Sequence, residues 1–268
     1  MVDVIIKSFM RPQVLTKCVE AVHLYYPKNR ILVGDDSQYF DEAMLAGFSN
    51  VEVYRFPFDI GLSAGRNRLL EKVNTEYFLL LDHDFILHDD KTIEKMLAVA
   101  TATDATIVGG LAWDEGAKAP RDYCGFFTKE DGEYVLNYYD MEKIKYNRAG
   151  DVRYCECRFT QNFMLGRTAD FRNRSIHWDD DLKLMEHEDF FIRFPLDLRV
   201  ITTPDVTVTH LCSQKNNSDP VYSAIRYNKA HKRRMRDKYK LKRKFFQERW
   251  GVVYDWTTLK FPALNAAE

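Results

Sequence analysis

Asp82-His83-Asp84 closes the run Tyr77-Phe-Leu-Leu-Leu-Asp82, so two carboxylates one residue apart directly follow an apolar stretch. Phe78 to Leu81 is short and continuously apolar, the pattern of a strand covered on both faces. In a parallel sheet, the place where such a strand gives way to a loop is where ligands bind. Two carboxylates there can converge on one hard divalent cation and on the phosphates it bridges. Taken alone, the triplet is equally a solvated acidic turn, because D-x-D recurs by chance.

The elements around it must make that sheet. Strand-like stretches at residues 2–6, 30–34, 51–56 and the run ending at Asp82 alternate with helical spacing after Pro12, at 61–73 and at 91–102. A short helix near 40–45 and a strand at 105–111 continue the series, which predicts a parallel sheet covered on both faces. Beyond Trp113 the sequence becomes aromatic and turn-rich. A hairpin across 123–139, turning at Asp131-Gly132, and a further strand over 153–165 predict an α+β half. With no linker between the halves, residues 1–222 read as one domain, with halves 1–112 and 113–222. Residues 223–268 read as a basic helical extension packed on it by a stripe of Met235, Tyr239, Phe246 and Trp250. Contact of that helix with an anionic membrane is its second reading.

At 268 residues and a formal net charge of −1, the chain is not a nucleic-acid binder. Its charge is uneven, basic over 226–244 and acidic over 179–189. Five scattered cysteines fit a reducing compartment, and Cys155-Glu-Cys157 lacks the second pair a zinc site needs. The first residues enter a strand at once, so the expectation is a cytoplasmic protein, at most peripheral to a membrane.

Four segments fall in a telling order: Ile5-Ile-Lys-Ser-Phe-Met-Arg-Pro12, Val33-Gly-Asp-Asp-Ser37, Gly61-Leu-Ser-Ala-Gly-Arg-Asn67 and Leu81-Asp-His-Asp-Phe85. They resemble the successive nucleotide-sugar motifs of glycosyltransferases with the A-type (GT-A) fold. Glu186-His-Glu-Asp-Phe-Phe191 is similar to that fold's acidic catalytic helix, and Pro204 to His210 to its late metal-binding histidine. Within the fold, Gly-Arg-Asn, Asn162-Phe163 and the Phe-Phe pair resemble the inverting family-two enzymes and the β-1,4-N-acetylgalactosaminyltransferases. The likeness covers residues 2 to 212.

The resemblance implies an α/β, Rossmann-like GT-A fold: a mainly parallel central sheet, an α+β acceptor half and a C-terminal helical tail. It implies Mn²⁺ or Mg²⁺ on Asp82, Asp84 and His210, a mixed shell that suits Mn²⁺ somewhat better. Ser8, Arg11, Asp36, Arg66, Asp82 and His83 would face the nucleotide-sugar donor. The local chemistry agrees: Asp36 can accept from a nucleobase imide or a ribose hydroxyl, or else open an Asx turn. Arg66 follows two glycines and a serine at a helix start, where its guanidinium can face the nucleotide or form a surface ion pair. Arg11 can face the diphosphate or merely precede a helix. His83 departs from the acidic middle position of the relatives and opens a role in metal choice or pH response. Asp189 aligns with the catalytic base, with Glu188 the alternative; Glu186 and Asp189 share a helix face from which Glu188 points away. Trp178 and Asp179-Asp180 line the acceptor side or simply pack in the core.

The expected activity is therefore metal-dependent inverting transfer from a UDP-sugar, UDP-N-acetylgalactosamine by nearest likeness, to a carbohydrate hydroxyl. A sugar nucleotidyltransferase is the first rival, but Ser8 to Pro12 lacks the glycine-rich loop it needs. A non-catalytic carbohydrate-binding protein is the second, and the intact Asp84, Asp189 and His210 set argues against it.

Overall fold

A computed structural model describes residues 1–121, 123–130, 133–182, 186–194 and 198–211. The expected basic tail and Cys212 lie outside the described residues.

The first strands follow the burial pattern of the sequence. β1 (Asp3–Ser8), β2 (Ile31–Asp35), β3 (Val51–Arg55) and β4 (Tyr77–Asp82) lie parallel in the order β3-β2-β1-β4. α1 (Pro12–Tyr25) starts on Pro12 and buries Val14, Leu15, Cys18, Val19 and Val22 along one stripe. α2 (Leu62–Leu70) and α3 (Thr92–Thr103) occupy the expected positions, while the helix expected near 40–45 is a 3-10 turn, Glu42–Leu45. Alternate strand residues feed two cores. Val4, Ile6, Leu79 and Leu81 pack with α1 and α3 on one face. Ile5, Phe78 and Leu80 pack with Leu69, Leu70 and Phe171 on the other.

The second half completes the same sheet out of chain order. After the two-residue β5 (Phe85–Ile86), β6 (Ile107–Asp114) lies parallel to β12 (Val200–His210). β9 (Asn147–Ala149) and β10 (Val152–Cys157) run antiparallel beyond β12, and β7 (Gly125–Glu130) pairs with β8 (Glu133–Tyr138) as a separate ribbon. The strand expected over 153–165 is two strands. β10 ends at Cys157, and β11 (Met164–Arg167) lies elsewhere, antiparallel between β4 and β6. Thr160, in the crossing segment, is fully buried against Gly109, where an added Cβ would lie 1.9 Å from its Oγ1. β5, β9 and α4 (Thr168–Asn173) had no clear signal in the sequence.

Cys18, Cys124, Cys155 and Cys157 are buried free thiols. Among the described residues, no helix is long and apolar enough to cross a membrane.

Candidate active site

Because β1, β2, β4, β6 and β12 all run the same way, their C-terminal ends share one edge. Ser8 pairs with Asp35, Lys7 with Asp82, and His210 with Asp114 across that edge. At the β1–β2 end, Lys7 is 2 % exposed and donates to the Asp36 carboxylate and to the Ser8 carbonyl. Burial pushes its pKa down and Asp36 opposes that. Gly61, at φ 93°, holds a left-handed conformation and turns its N–H onto Asp36 Oδ2 at 3.0 Å. Gly65 lies over the lysine stem, where a Cβ would fall 2.3 Å from Lys7 Cδ. Ser8 and Asp36 thus stand at the expected edge but just beneath its surface, each 1 % exposed.

Arg66 is completely buried, so its ion pair is not the surface pair that the sequence offered as the alternative. Nη1 donates to Glu186 Oε1 and Nη2 to Asp82 Oδ1, both at 2.7 Å, and the guanidinium sits 5.7 Å from the Trp178 ring centroid. A guanidinium held between two carboxylates and an aromatic ring replaces its lost water with charged partners, which a position facing an open cleft would not require. Burial raises the Asp82 pKa, with Arg66 opposing.

Two residues on, Asp84 meets Arg11 Nη2 at 2.5 Å, and His210 Nε2 lies 3.6 Å from the same oxygen. Burial alone would raise the Asp84 pKa; the hydrogen bond from His210 and the neighbouring cations instead hold it well below the carboxylate range. His210 Nδ1 pairs with Asp114 Oδ1 at 2.7 Å, and Arg121 in turn grips Asp114. This second bond leaves Nε2 turned toward Asp84. His83 Nε2 accepts from Arg11 Nε at 2.9 Å, and burial, reinforced by Arg11, pushes its pKa down to about 3. His83 is therefore a neutral acceptor for Arg11, and a pH response near neutrality does not belong to it. Arg11, expected to face the diphosphate, spans His83 and Asp84.

Among the described residues, no three His, Cys, Asp or Glu side chains form a ready metal cluster. Asp82 is engaged by Arg66 and by the Asn162 amide, 3.5 Å from its Oδ2. The Asp84 and His210 pair does suit a divalent cation. The Asp84 oxygen and His210 Nε2 are 3.6 Å apart, near the roughly 3 Å expected between neighbouring ligands at about 2.1 Å from one ion. Arg11 would have to yield its place on Asp84 to such an ion.

Helix α5 (Glu186–Arg193) borders this edge. Its carboxylates divide as their spacing requires. Glu186 serves Arg66, and Asp189, with no exposed surface, is bound to Arg193 Nε at 2.7 Å. Glu188 is partly exposed and accepts from Tyr123 Oη at 2.6 Å. Burial lifts its pKa above the usual value, with Tyr123 opposing. His187 joins its Nδ1 to Asn162 Oδ1 at 2.5 Å, so a chain of contacts runs from α5 through Asn162 to Asp82. Trp178 is core, stacked on Phe190 at 4.9 Å.

Sequence reasoning missed Lys7, Asn67, Asp114, Tyr123 and His187. Asp114 carried the clearest signal, as an aspartate closing a strand of the same sheet. A cavity of about 280 Å³ at the opposite edge is lined by Arg158, Arg167, Arg174 and Arg199. Asp104, Asp170 and Glu156 pair with three of these arginines, so the cavity is an ion-pair network far from the strand ends above.

The glycosyl transferase family 2 model matches residues 3–159, more than half the chain and all the strand ends up to β6. The chain belongs to glycosyl transferase family 2. Mouse β-1,4 N-acetylgalactosaminyltransferase 2 is 28 % identical over 221 residues, 78 % of this chain and 39 % of that protein. Rat β-1,4 N-acetylgalactosaminyltransferase 1 is 29 % identical over 235 residues, 85 % of this chain and 43 % of that one. The family 2 chain thus spans about two fifths of the length of these curated relatives. Among solved structures, S. aureus TarS 1-349 in complex with UDP-GlcNAc aligns with TM-score 0.58 at 16 % identity, covering 81 % of this chain and 61 % of that one. The Pyrobaculum calidifontis mannosyltransferase PcManGT, in complex with GDP-Man and Mn²⁺, aligns at 0.55 and 12 %, covering 80 % and 57 %. These likenesses establish the GT-A fold, with its mixed, mostly parallel sheet.

Proposed function

We propose that this family 2 chain transfers a sugar from a UDP-linked donor to a carbohydrate hydroxyl, with inversion, in a metal-dependent reaction. The observation that carries this reading is one shared edge, where Asp84 and His210 face each other beside α5, whose Glu186 is tied to Asp82 through Arg66. UDP-N-acetylgalactosamine is the donor favoured by the names of the curated relatives. Nucleotide-sugar and Mn²⁺ on the structural neighbours support the donor class and the ion.

Asp84 and His210 would hold the cation, which when bound offsets charge building on the departing diphosphate. Lys7 fixes Asp36 beneath the nucleotide end, and Arg66 opposes the upward push of burial on the Asp82 carboxyl. In the displacement, the acceptor oxygen bonds to the anomeric carbon as the bond to the diphosphate breaks and its electron pair leaves with the nucleotide. A carboxylate takes the hydroxyl proton. The resemblance gave that place to Asp189, but in this fold Asp189 is sealed against Arg193, and Glu188 is the α5 carboxylate that reaches solvent. Its raised pKa suits a general base.

The test is calorimetry with UDP, GDP, CDP and dTDP, with and without Mn²⁺. Metal-dependent binding of UDP that disappears in Asp84→Ala is the expected result; preference for another nucleotide overturns the donor, and no nucleotide binding overturns the reading. A pH profile tests the base. The base acts deprotonated, so the rate falls as pH drops through its folded pKa. Tyr123 favours the charged form, so Tyr123→Phe should move the acid limb of kcat to higher pH; an unmoved limb would remove Glu188 from the role.

A further inference from the structure

The Gly-Arg-Asn segment, read from the sequence as part of a donor motif, also makes contacts across to the chain near α5. Ser63, Arg66 and Asn67 stand at i, i+3 and i+4 on α2 and so share one helix face. All three reach across to the segment leading into α5. Ser63 Oγ donates to the Leu182 carbonyl at 2.6 Å. Asn67 engages both backbone groups of Trp178, Nδ2 donating to its carbonyl at 2.7 Å and Oδ1 accepting from its N–H at 3.0 Å. The same Nδ2 donates to Asp180 Oδ1 at 2.7 Å. Trp178 then stacks on Phe190 of α5 at 4.9 Å and 20° between planes, two residues beyond Glu188. Neither Ser63 nor Asn67 touches Asp36, Asp84 or His210 in any hydrogen bond found among the described residues.

We infer that Asn67 is a positioning residue: its amide clamps residues 178–180 and, through Trp178 and Phe190, sets the placement of α5 and its base toward the acceptor side. The inference rests on the proposed function for its catalytic consequence but not for the clamp itself. The chemistry of the contact is specific, because an amide both donates and accepts, whereas a carboxylate only accepts. Asn67→Asp would keep the bond from the Trp178 N–H while turning a charge on the Trp178 carbonyl and on Asp180. Asp180→Asn, added to it, would restore a donor toward residue 67.

The experiment compares the wild-type chain, Asn67→Asp and Asn67→Asp/Asp180→Asn in three readouts. These are calorimetric UDP binding with Mn²⁺, hydrolysis of UDP-N-acetylgalactosamine with water as acceptor, and amide hydrogen exchange over residues 176–193. The inference expects Asn67→Asp to hold UDP within twofold of wild type, to lose at least tenfold in kcat of hydrolysis, and to lose protection over 176–193. The double variant should recover to within about threefold in kcat and regain protection. UDP affinity falling in step with kcat would make Asn67 a donor contact and overturn the inference. So would unchanged protection in Asn67→Asp, or a double variant no better than the single one. Absence of UDP binding and hydrolysis in the wild type would instead sink the proposed function, and exchange with its recovery in the double variant would still decide the clamp.

Discussion

Replacing Arg66 by Met should lower the unfolding free energy by about 3–5 kcal/mol, the cost of breaking a buried ion pair by removing one partner. Arg66 has no exposed surface, and it bridges the carboxylates of Asp82 and Glu186. Without it, the Asp82 and Glu186 carboxylates lose the guanidinium that both are bound to. Arg66→Lys should not rescue, because one ammonium cannot repeat two parallel contacts from a rigid planar fork. Adding Asp82→Asn and Glu186→Gln to Arg66→Met should recover much of the loss, since the orphaned charges are gone. Urea denaturation near neutral pH measures all four proteins. A loss under about 1 kcal/mol, the scale of an exposed pair, would contradict the buried bridge.

The second large effect concerns the α5 carboxylates. Glu188→Gln should lower kcat by about 10²–10⁴-fold, the range for a lost general base, with UDP affinity unchanged. Asp189→Asn should act first on stability, because it removes the charge that holds Arg193 against a side chain with no exposed surface. Rates of UDP release from the UDP-sugar, set beside melting curves, separate the two. Should Asp189→Asn abolish turnover in a chain of unchanged stability, the base role would return to Asp189, where the family likeness put it.

The sequence was most informative where local pattern and burial coincide. β1 to β4, with α1 and α2 between them, follow from apolar runs, Pro12 and helical spacing, and β4 ends at Asp82, the first residue of the D-x-D triplet. The second half was less legible because its strands join by long-range pairing. Nothing local in Asn162 to Arg167 tells that β11 slots antiparallel between β4 and β6. At the site, side-chain type was legible and direction was not. Arg66 looks solvent-facing by its glycine-rich context, yet two acidic partners 16 and 120 positions away draw it inside. Glu188 and Asp189 are adjacent in sequence, and only their partners, Tyr123 and Arg193, reveal which one reaches the cleft. Lys7 gave no signal, because a lysine in a buried strand is explained only by Asp36 opposite it.

The insertion of β11 between β4 and β6 also governs the order in which the molecule can become whole. Leu79 and Leu80 of β4 wait for Leu165 and Met164, more than eighty positions later in the chain. At about 5–20 residues per second of synthesis, that is an interval of roughly 4–16 s. Through it, the nascent chain carries an apolar strand edge with its backbone groups unpaired, a template for pairing with another chain. Fragments ending between residues 114 and 163 would keep that edge open permanently, so expression in halves should yield aggregates where the 268-residue chain pairs β4 with β11.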